Sequence, residues 1–453
     1  MKDNYLLNCI QEYKSRLMYD TGSGGGGKRK DKYPRFEKKI QLLEMYKDFI
    51  IHGKKYEQRW KRLCRKYSKV SVVGIQFVSI GETMPRLFMM IKDLKERDKS
   101  TLYIVLPVFF DAYKGGVFNY QIFSLLGRYL YFIKESNIDF WTYIVVKYPQ
   151  MIDKSEFHKY YARRAEVVKV KAGKPLIPFT ESQIREGEQK LKQMGIRGEF
   201  ICLHARENRV KELGWVDEVA KETSCRDCDI NSYEKASLYM ESLGYQSVRM
   251  GKYENKQCNI PNVIDFANDY YDELMDFYLL SKCKFLLGSN SGLPAVAGFW
   301  GCPVLVTNVV NICYGAEAWP DTGLDMYIPK KYWSKRDNRY LNLWEMLDIS
   351  NDCDIYNSKY QRKKIVLEDN TGEEILNATM EMNEKLDNQW VTSAEEERDR
   401  KKYWEIMDAW KRKHSYVLPR RKCKGYLMVY WQISYTYLRN NRYLLDVDLT
   451  ALE

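Results

Sequence analysis

From about residue 68 the chain alternates between short continuous apolar runs and longer segments with helical spacing. Ser71–Ser79 (SVVGIQFVS) and Thr101–Phe110 (TLYIVLPVFF) are rich in β-branched and aromatic residues, and Trp141–Val146 (WTYIVV) reads as a third strand. Ile80–Thr83 reads as the turn after the first strand, and Met84–Lys95 has the spacing of a helix. A second series follows the helical segment Glu181–Met194. Strands are expected at Phe200–His204, Gln246–Met250, Val263–Phe266, Lys284–Gly288 and Pro303–Thr307. Helices are expected at Asn231–Leu243, capped by Asn231 or Ser232, and at Tyr270–Lys282 and Leu293–Trp300. Strands separated by helices predict βαβ units and parallel sheets. The predicted fold class is α/β, with two Rossmann-like doubly wound domains at 68–180 and 181–345 and helical extensions at both ends.

The flanks differ in character. Residues 1–67 read as a basic helical extension interrupted by the flexible run Gly22–Gly27. Residues 346–453 read as a basic helical extension, with eleven Lys or Arg against three acids over 398–424. The apolar aromatic segment Gly425–Leu438 comes next, short for a membrane span. Together 398–438 suggest docking on an anionic membrane surface. The charge-free stretch Phe285–Ala316 is long enough to span a bilayer. Gly288, Gly292, Pro294, Gly301 and Pro303 break it, and it reads as a buried strand–helix–strand unit.

Composition narrows the chemistry. With 453 residues, 45% hydrophobic and 30% charged, the chain can bury a large core and is not disordered. A net charge of +12 favours anionic partners such as phosphorylated ligands, nucleic acid or acidic lipid. Four histidines leave little for a multi-histidine metal site, and eleven scattered cysteines imply no disulfide framework. Cys225 and Cys228 form a lone CxxC, short of the four ligands that zinc takes. The Asp-x-Asp of Asp227-Cys228-Asp229 recurs at Asp352–Asp354 and Asp446–Asp448, so it carries little information. No metal and no bound cofactor are expected. The start Met1-Lys2-Asp3-Asn4 lacks the pattern of a secretory signal. The expected location is cytoplasmic, peripheral on the inner face of a membrane.

Three strand exits carry candidate chemistry. In Leu203-His204-Ala205-Arg206, His204 and Arg206 share one face of a strand at its carboxyl end, where ligands meet a parallel sheet. Arg206 suits a diphosphate because its planar fork donates two hydrogen bonds. Val248-Arg249-Met250-Gly251 repeats this logic on the next strand, with Gly251 allowing close backbone approach. Gly288-Ser289-Asn290-Ser291-Gly292 opens a helix, where backbone N–H groups and the Ser289 and Ser291 hydroxyls can bind an anion. It is neither a Walker loop nor GxGxxG. Asp276, on the helix before that loop, can cap or orient it. Each side chain has a plain structural alternative: a hydrogen-bonded core histidine, an arginine in an ion pair, an ordinary capped turn.

From His204 to Asn308 the chain resembles a family of bacterial glycosyltransferases associated with surface-carbohydrate biosynthesis. The matching elements are His204-Ala205-Arg206, Arg226-Asp227, Ile230-Asn231-Ser232-Tyr233, Gly244-Tyr245, Val248–Gly251, Asp265-Phe266-Ala267, Leu274-Met275-Asp276, Cys283-Lys284-Phe285, Gly288–Gly292 and Pro303-Val304. His-x-Arg is also similar to an element of fucosyltransferases. Where the family more often has Gly-His, this chain has Gly81-Glu82. The resemblance implies a GT-B arrangement and transfer of a sugar from a nucleoside-diphosphate sugar to a surface glycan or lipid-linked acceptor. Arg206, Arg226, Arg249, Gly251, Asp276, Ser289, Asn290, Ser291 and Gly292 would then hold the donor. An inverting transfer needs a base for the acceptor proton. Glu82, after the first strand, is the preferred candidate, and His204 the second. A nucleotide-sugar epimerase of the same fold and a nonenzymatic nucleic-acid binder are the alternatives. The first would need acids on both faces of the sugar. The second lacks a recognised binding module, so no nucleic-acid partner is expected.

Overall fold

The computed structural model describes residues 6–11, 14, 34–76, 80–95, 99–108, 119, 121–155, 157, 169–207, 221–252, 256–312, 320–353, 355–414 and 431–450. The chain divides into two compact units. The first comprises Met1–Val78, Arg86–Asp111 and Ile122–Arg163; the second comprises Ser79–Pro85, Ala112–Gln121 and Arg164–Glu453. The run Gly22–Gly27 lies outside the described residues.

In the first unit, β1 (Lys69–Gln76) is flanked by β2 (Thr101–Val108) and β4 (Ile152–Asp153), with β3 (Tyr131–Phe132) beyond β2. Every pairing is parallel. The long helix α1 (Pro34–Lys66) packs on α4 (Glu135–Lys147) through aromatic side chains; Trp60 stacks on Tyr148 and meets Trp141 edge-on. Leu6, Leu7 and Ile10 join the same core.

Two sequence expectations change here. Trp141–Val146 lies in α4, not in a strand. Ile138, Phe140, Trp141, Ile144 and Val145 are all buried, so the helix is apolar nearly all round and its period is hidden. Ile80–Thr83 is not a turn but the start of α2 (Ile80–Lys95), whose first residues belong to the second unit.

The second unit has a seven-stranded parallel sheet in the order β7-β6-β5-β8-β9-β10-β14. The strands are β5 (Phe200–His204), β6 (Gln246–Arg249), β7 (Val263–Ile264), β8 (Leu286–Ser289), β9 (Val304–Val309), β10 (Met326–Pro329) and β14 (Gln432–Ile433). This is the doubly wound order, and the winding reverses between β5 and β8. The helices α5 (Glu181–Gln193), α6 (Glu234–Ser242), α7 (Phe266–Asp269), α8 (Met275–Lys282) and α9 (Gly292–Ala297) connect or flank these strands, and α3 (Gln121–Leu126) lies in the first unit. The expected cap of α6 is displaced upstream. Asp229 accepts from the Asn231 N–H and starts a short 3-10 turn, Ile230–Tyr233, that leads into the helix. Fold class α/β with two Rossmann-like units holds.

The expected boundary at 345 is not a structural one, because the chain beyond it builds the same unit. Helix α10 (Leu343–Cys353) and α11 (Asn357–Arg362) precede β13 (Ile365–Glu368), which forms a small antiparallel sheet with β11 (Lys331–Ser334) and β12 (Arg339–Tyr340). Then come α12 (Gly372–Leu386), α13 (Ala394–Lys413) and α14 (Tyr435–Asn440), and β14 adds to the edge of the main sheet beside β10. Of the segment expected to dock on a membrane, Tyr403, Trp410, Trp431, Ile433, Tyr437 and Leu438 are buried in this core. Their apolar surface is spent on folding. No helix among the described residues is long and apolar enough to cross a membrane.

Glu381 of α12 holds this region together. Its carboxylate is fully buried and accepts hydrogen bonds from the Tyr435 and Thr436 N–H groups and the Ser434 hydroxyl at the start of α14. Lys385 donates to it at 2.5 Å. Burial alone would raise its pKa, but Lys385 and the α14 amides outweigh burial and hold it below the usual carboxylate range. This contribution is present above the unfolded carboxylate pKa and is lost as pH falls through the folded one. Glu381→Gln leaves Lys385 without its counter-charge. It should lower the unfolding free energy by about 3–5 kcal/mol, read as a lower urea midpoint. A midpoint within error of wild type would remove the pair from the account.

Candidate functional site at the strand exits of the second unit

In a parallel sheet all carboxyl ends share one edge, and ligands gather where the winding reverses. In the second unit that point lies between β5 and β8. The Arg206 N–H, just past β5, donates to Ser289 Oγ at the end of β8 at 2.7 Å. The two diverging exits are thereby tied together, the Arg206 backbone against the end of β8.

The Arg206 side chain is turned to protein groups. It donates to the Asp227 carboxylate, to the Thr223 carbonyl at 3.2 Å and to Thr223 Oγ1 at 3.1 Å. Asp227 in turn receives Lys330 Nζ on its carbonyl at 2.9 Å, and Lys330 also reaches Asp369 at 2.5 Å. Lys330 follows β10 and Asp369 follows β13, so these contacts run along the exit edge. Beside them opens a cleft of about 730 Å³ lined by Asp227, Lys330, Lys335, Asn357, Lys364 and Asp369 among others. Arg226 is half-buried at the end of the 3-10 turn before Asp227.

Arg249 differs most from expectation. Its side chain is 2% exposed, and it donates to Asp265 at 2.9 Å, Glu207 at 3.0 Å and the Lys256 carbonyl at 2.8 Å. Glu207 also accepts from the Lys256 N–H at 3.0 Å. The guanidinium therefore braces the exits of β5 and β6. Sequence analysis gave no partner role to Glu207, Asp265, Asp227 or Lys330. Glu207 is visible beside Arg206, and Asp227 and Asp265 stand among the elements of the resemblance, but their pairing with arginines depends on folds of the chain that no spacing encodes.

His204 is buried, with Nδ1 3.2 Å from the Met250 carbonyl. Burial, with Arg249 and Arg206 nearby, lowers its pKa to about 4. At neutral pH the ring is uncharged. With Nδ1–H donated to Met250 O, Nε2 is left as an acceptor. A group this weakly basic is a poor proton acceptor in catalysis. Gly251, beyond β6, has φ 145°, a conformation that glycine takes without strain.

The loop after β8 begins α9. Asn290 is buried, and Ser291 Oγ is buried without a hydrogen bond among the described residues. Ser291 occupies the cap position of α9 but its side chain makes no cap bond. Gly292 lies against Gly81: a Cβ on Gly81 would fall 2.5 Å from Gly292 Cα. The first turn of α2 thus touches the start of α9, and Glu82 is the next residue along that turn. The Glu82 side chain lies outside the described residues.

Asp276, in the first turn of α8, sits in a separate group. Its Oδ2 accepts from Asn119 Nδ2 at 3.0 Å and Tyr271 OH at 3.2 Å, and Asn119 also donates to the Glu273 carbonyl at 2.8 Å. Lys252, just beyond Gly251, lies over the Tyr271 ring at 5.0 Å. Burial raises the Asp276 pKa to about 7.

Cys225 and Cys228 are both buried, with burial raising both thiols; Cys225 donates to the Ile355 carbonyl. Asp229 caps the following turn. Among the described residues no group of His, Cys, Asp or Glu is arranged to hold a metal ion.

Two variants test these assignments. Arg249→Ala leaves the buried Glu207 carboxylate and the half-buried Asp265 without their counter-charge and should cost about 3–5 kcal/mol of stability, read by thermal melting. A variant that melts like wild type would return Arg249 to a ligand-contact role. The second concerns pH. Asp276 and Asp325, whose pKa burial also raises to about 7, keep protons in the folded state that the unfolded chain releases near pH 4. Stability should therefore fall as pH rises from about 4 to 7, by up to about 1.4 kcal/mol per pH unit per group. Asp276→Asn should flatten that slope; an unchanged slope would refute the raised pKa.

No protein-family model matches the chain, and no curated protein matches it. Several solved structures do. A family 9 glycosyltransferase from Veillonella parvula is 11% identical, covering 53% of this chain and 80% of its own, with a TM-score of 0.33. The iron-containing dodecameric heptosyltransferase TibC of enterotoxigenic Escherichia coli, in complex with ADP-D-β-D-heptose, is 11% identical over 71% of this chain and 79% of its own, with a TM-score of 0.36. A UDP-N-acetylglucosamine 2-epimerase from Listeria monocytogenes is 11% identical over 70% and 97%, with a TM-score of 0.25. Function is therefore read from the site itself.

Proposed function

We propose that this protein transfers a sugar from a nucleoside-diphosphate sugar held at the β5/β8 exits of the second unit to a hydroxyl of a surface glycan or lipid-linked acceptor. The observation that carries the reading is the Gly81–Gly292 contact. It puts Glu82, the candidate base, one residue from the loop proposed to hold the donor.

The diphosphate lies against Ser291 Oγ and the backbone N–H groups that open α9, where a helix start favours negative charge. The nucleoside lies toward the Lys330 cleft, whose volume is in the range of small-molecule sites. Arg206 links the two places, with its backbone bonded to Ser289 and its side chain bonded to Asp227 at the cleft wall. Asn290, Gly251 and Arg226 line or shape the same edge. Arg249 positions the exits, and neutral His204 offers Nε2 as an acceptor for a donor hydroxyl. Glu82 takes the acceptor proton as the new glycosidic bond forms, and the nucleoside diphosphate leaves with the electrons of the broken bond. The backbone N–H groups that open α9 and the Ser291 hydroxyl offset its charge.

The test starts from thermal-shift screening against a panel of nucleotide sugars, since a ligand that binds only the folded state raises apparent stability. With the stabilising donor, release of nucleoside diphosphate should require an acceptor. Glu82→Gln should cut that release by roughly two to four orders of magnitude, with donor affinity nearly unchanged. Turnover within a few-fold of wild type would remove Glu82. Conversion of the donor with no acceptor present would replace transfer by epimerisation.

A further inference from the structure

We propose that the solvent face of α1 docks the protein on an anionic lipid surface. The helix carries eleven Lys or Arg against four Asp or Glu, a net of +7 within a chain of net +12. Its inner face is fixed: Met45 and Trp60 are buried, and Tyr56 and Trp60 pack on Phe140, Tyr143, Trp141 and Tyr148. Over 43–66 the acids leave the outer face positive. Glu57 is turned inward to Lys147, Tyr143 and Tyr148, and Glu44 is the one exposed acid over 43–66.

The outer face exposes aliphatic side chains among its cations. Leu43 is 69% exposed, Ile50 85% and Ile51 60%. At 100° per residue, Leu43, Lys47, Ile50, Lys54, Lys61 and Arg65 fall within one narrow stripe about 33 Å long, opposite the packed side. Lys47, Lys54, Lys55, Lys61, Arg62 and Arg65 are exposed and form no ion pair among the described residues.

Branched aliphatic side chains among unpaired cations fit a surface with anionic headgroups over hydrocarbon. The isoleucines enter the boundary while lysines, whose stems are apolar, keep their ammonium groups at headgroup level. A nucleic acid would use the cations but offers nothing to Leu43 and Ile50. A second copy would bring the same positive charge against itself. The inference is independent of the proposed sugar transfer, and it moves the expected membrane contact from 398–438 to α1.

The test is co-sedimentation of the full chain with vesicles of phosphatidylcholine alone and of phosphatidylcholine mixed with phosphatidylglycerol. The protein should bind only the mixed vesicles and come off as salt rises. Lys47→Gln, Lys54→Gln and Lys61→Gln together should weaken binding about a hundredfold, at roughly fivefold per cation. Ile50→Asn with Ile51→Asn should weaken it at least about tenfold. Both variants change exposed side chains and should melt like wild type. Arg398→Gln with Lys401→Gln and Lys402→Gln, on the exposed side of α13, should leave binding unchanged. The proposal is overturned if neutral vesicles bind equally well, if the α1 variants partition like wild type, or if the α13 variant is the one released. It is also overturned if the isoleucine variant dissociates an oligomer without lipid, or if the lysine variant loses RNA while vesicles never bind.

Discussion

Parallel pairing is the constraint from which the second unit follows. When seven strands run the same way, every carboxyl end lies on one edge, and every loop leaving that edge is free to carry chemistry. The sheet begins at β5 and winds outward in both directions, so the exits of β5 and β8 must part. A gap opens there because the chain cannot cover it. The 2.7 Å bond from the Arg206 amide to Ser289 closes the base of that gap and fixes how far apart the two loops stand. His204, Arg206 and the start of α9 then meet because of strand order, not because of nearness in sequence.

The edge is rich in buried charge, and its geometry depends on each charge being answered. Arg249 has two carboxylates and a carbonyl, Lys330 has Asp369 and a carbonyl, and Glu381 has Lys385 and four donors from Ser434, Tyr435 and Thr436. Removing water from such groups costs several kcal/mol each, which the partners offset only when the geometry is good. A loop held by such contacts cannot drift without exposing an unpaired charge. Arg249, bonded to Asp265, Glu207 and the Lys256 carbonyl, in this way holds the backbone at the exits of β5 and β6.

Strands β5, β6, β8 and β9 were legible because they are short apolar runs buried on both faces between helical segments, whereas β10 to β14 were not expected. β5, β6, β8 and β9 fall within two residues of expectation. The same rule failed at Trp141–Val146. A helix buried nearly all round and a central strand present the same unbroken apolar run, and only length and the reciprocal bonds of Lys134 and Asn137 distinguish them. The carboxyl-terminal third was misjudged for a different reason. Its composition is basic, but its apolar residues answer to partners far away in sequence, such as Trp410 to Asp348 and Ser434 to Glu381. The site was half legible. That charged and small residues gather at β5, β6 and β8 could be read from the strand ends. Which cations face protein could not, because Asp265, Asp227 and Asp369 arrive through loops and helices that spacing does not specify.

Two titratable groups near the exits are pushed in opposite directions by the same cause. Burial makes His204 reluctant to take a proton and Asp276 reluctant to lose one. His204 is therefore neutral around pH 7, while Asp276 is divided between its protonated and charged forms. Asp276 is already occupied by Asn119 and Tyr271, and His204 by Met250 on one nitrogen. Neither is free to be a strong base. For the proposed transfer with inversion, a base for the acceptor proton is sought outside this buried edge. The first turn of α2 is a described segment that brings a carboxylate-bearing residue to the β8–α9 loop without burying its backbone in the sheet. The glycine pair that allows this approach admits no side chain at Gly81. The position of Glu82 along the turn is thus set by a steric requirement one residue before it.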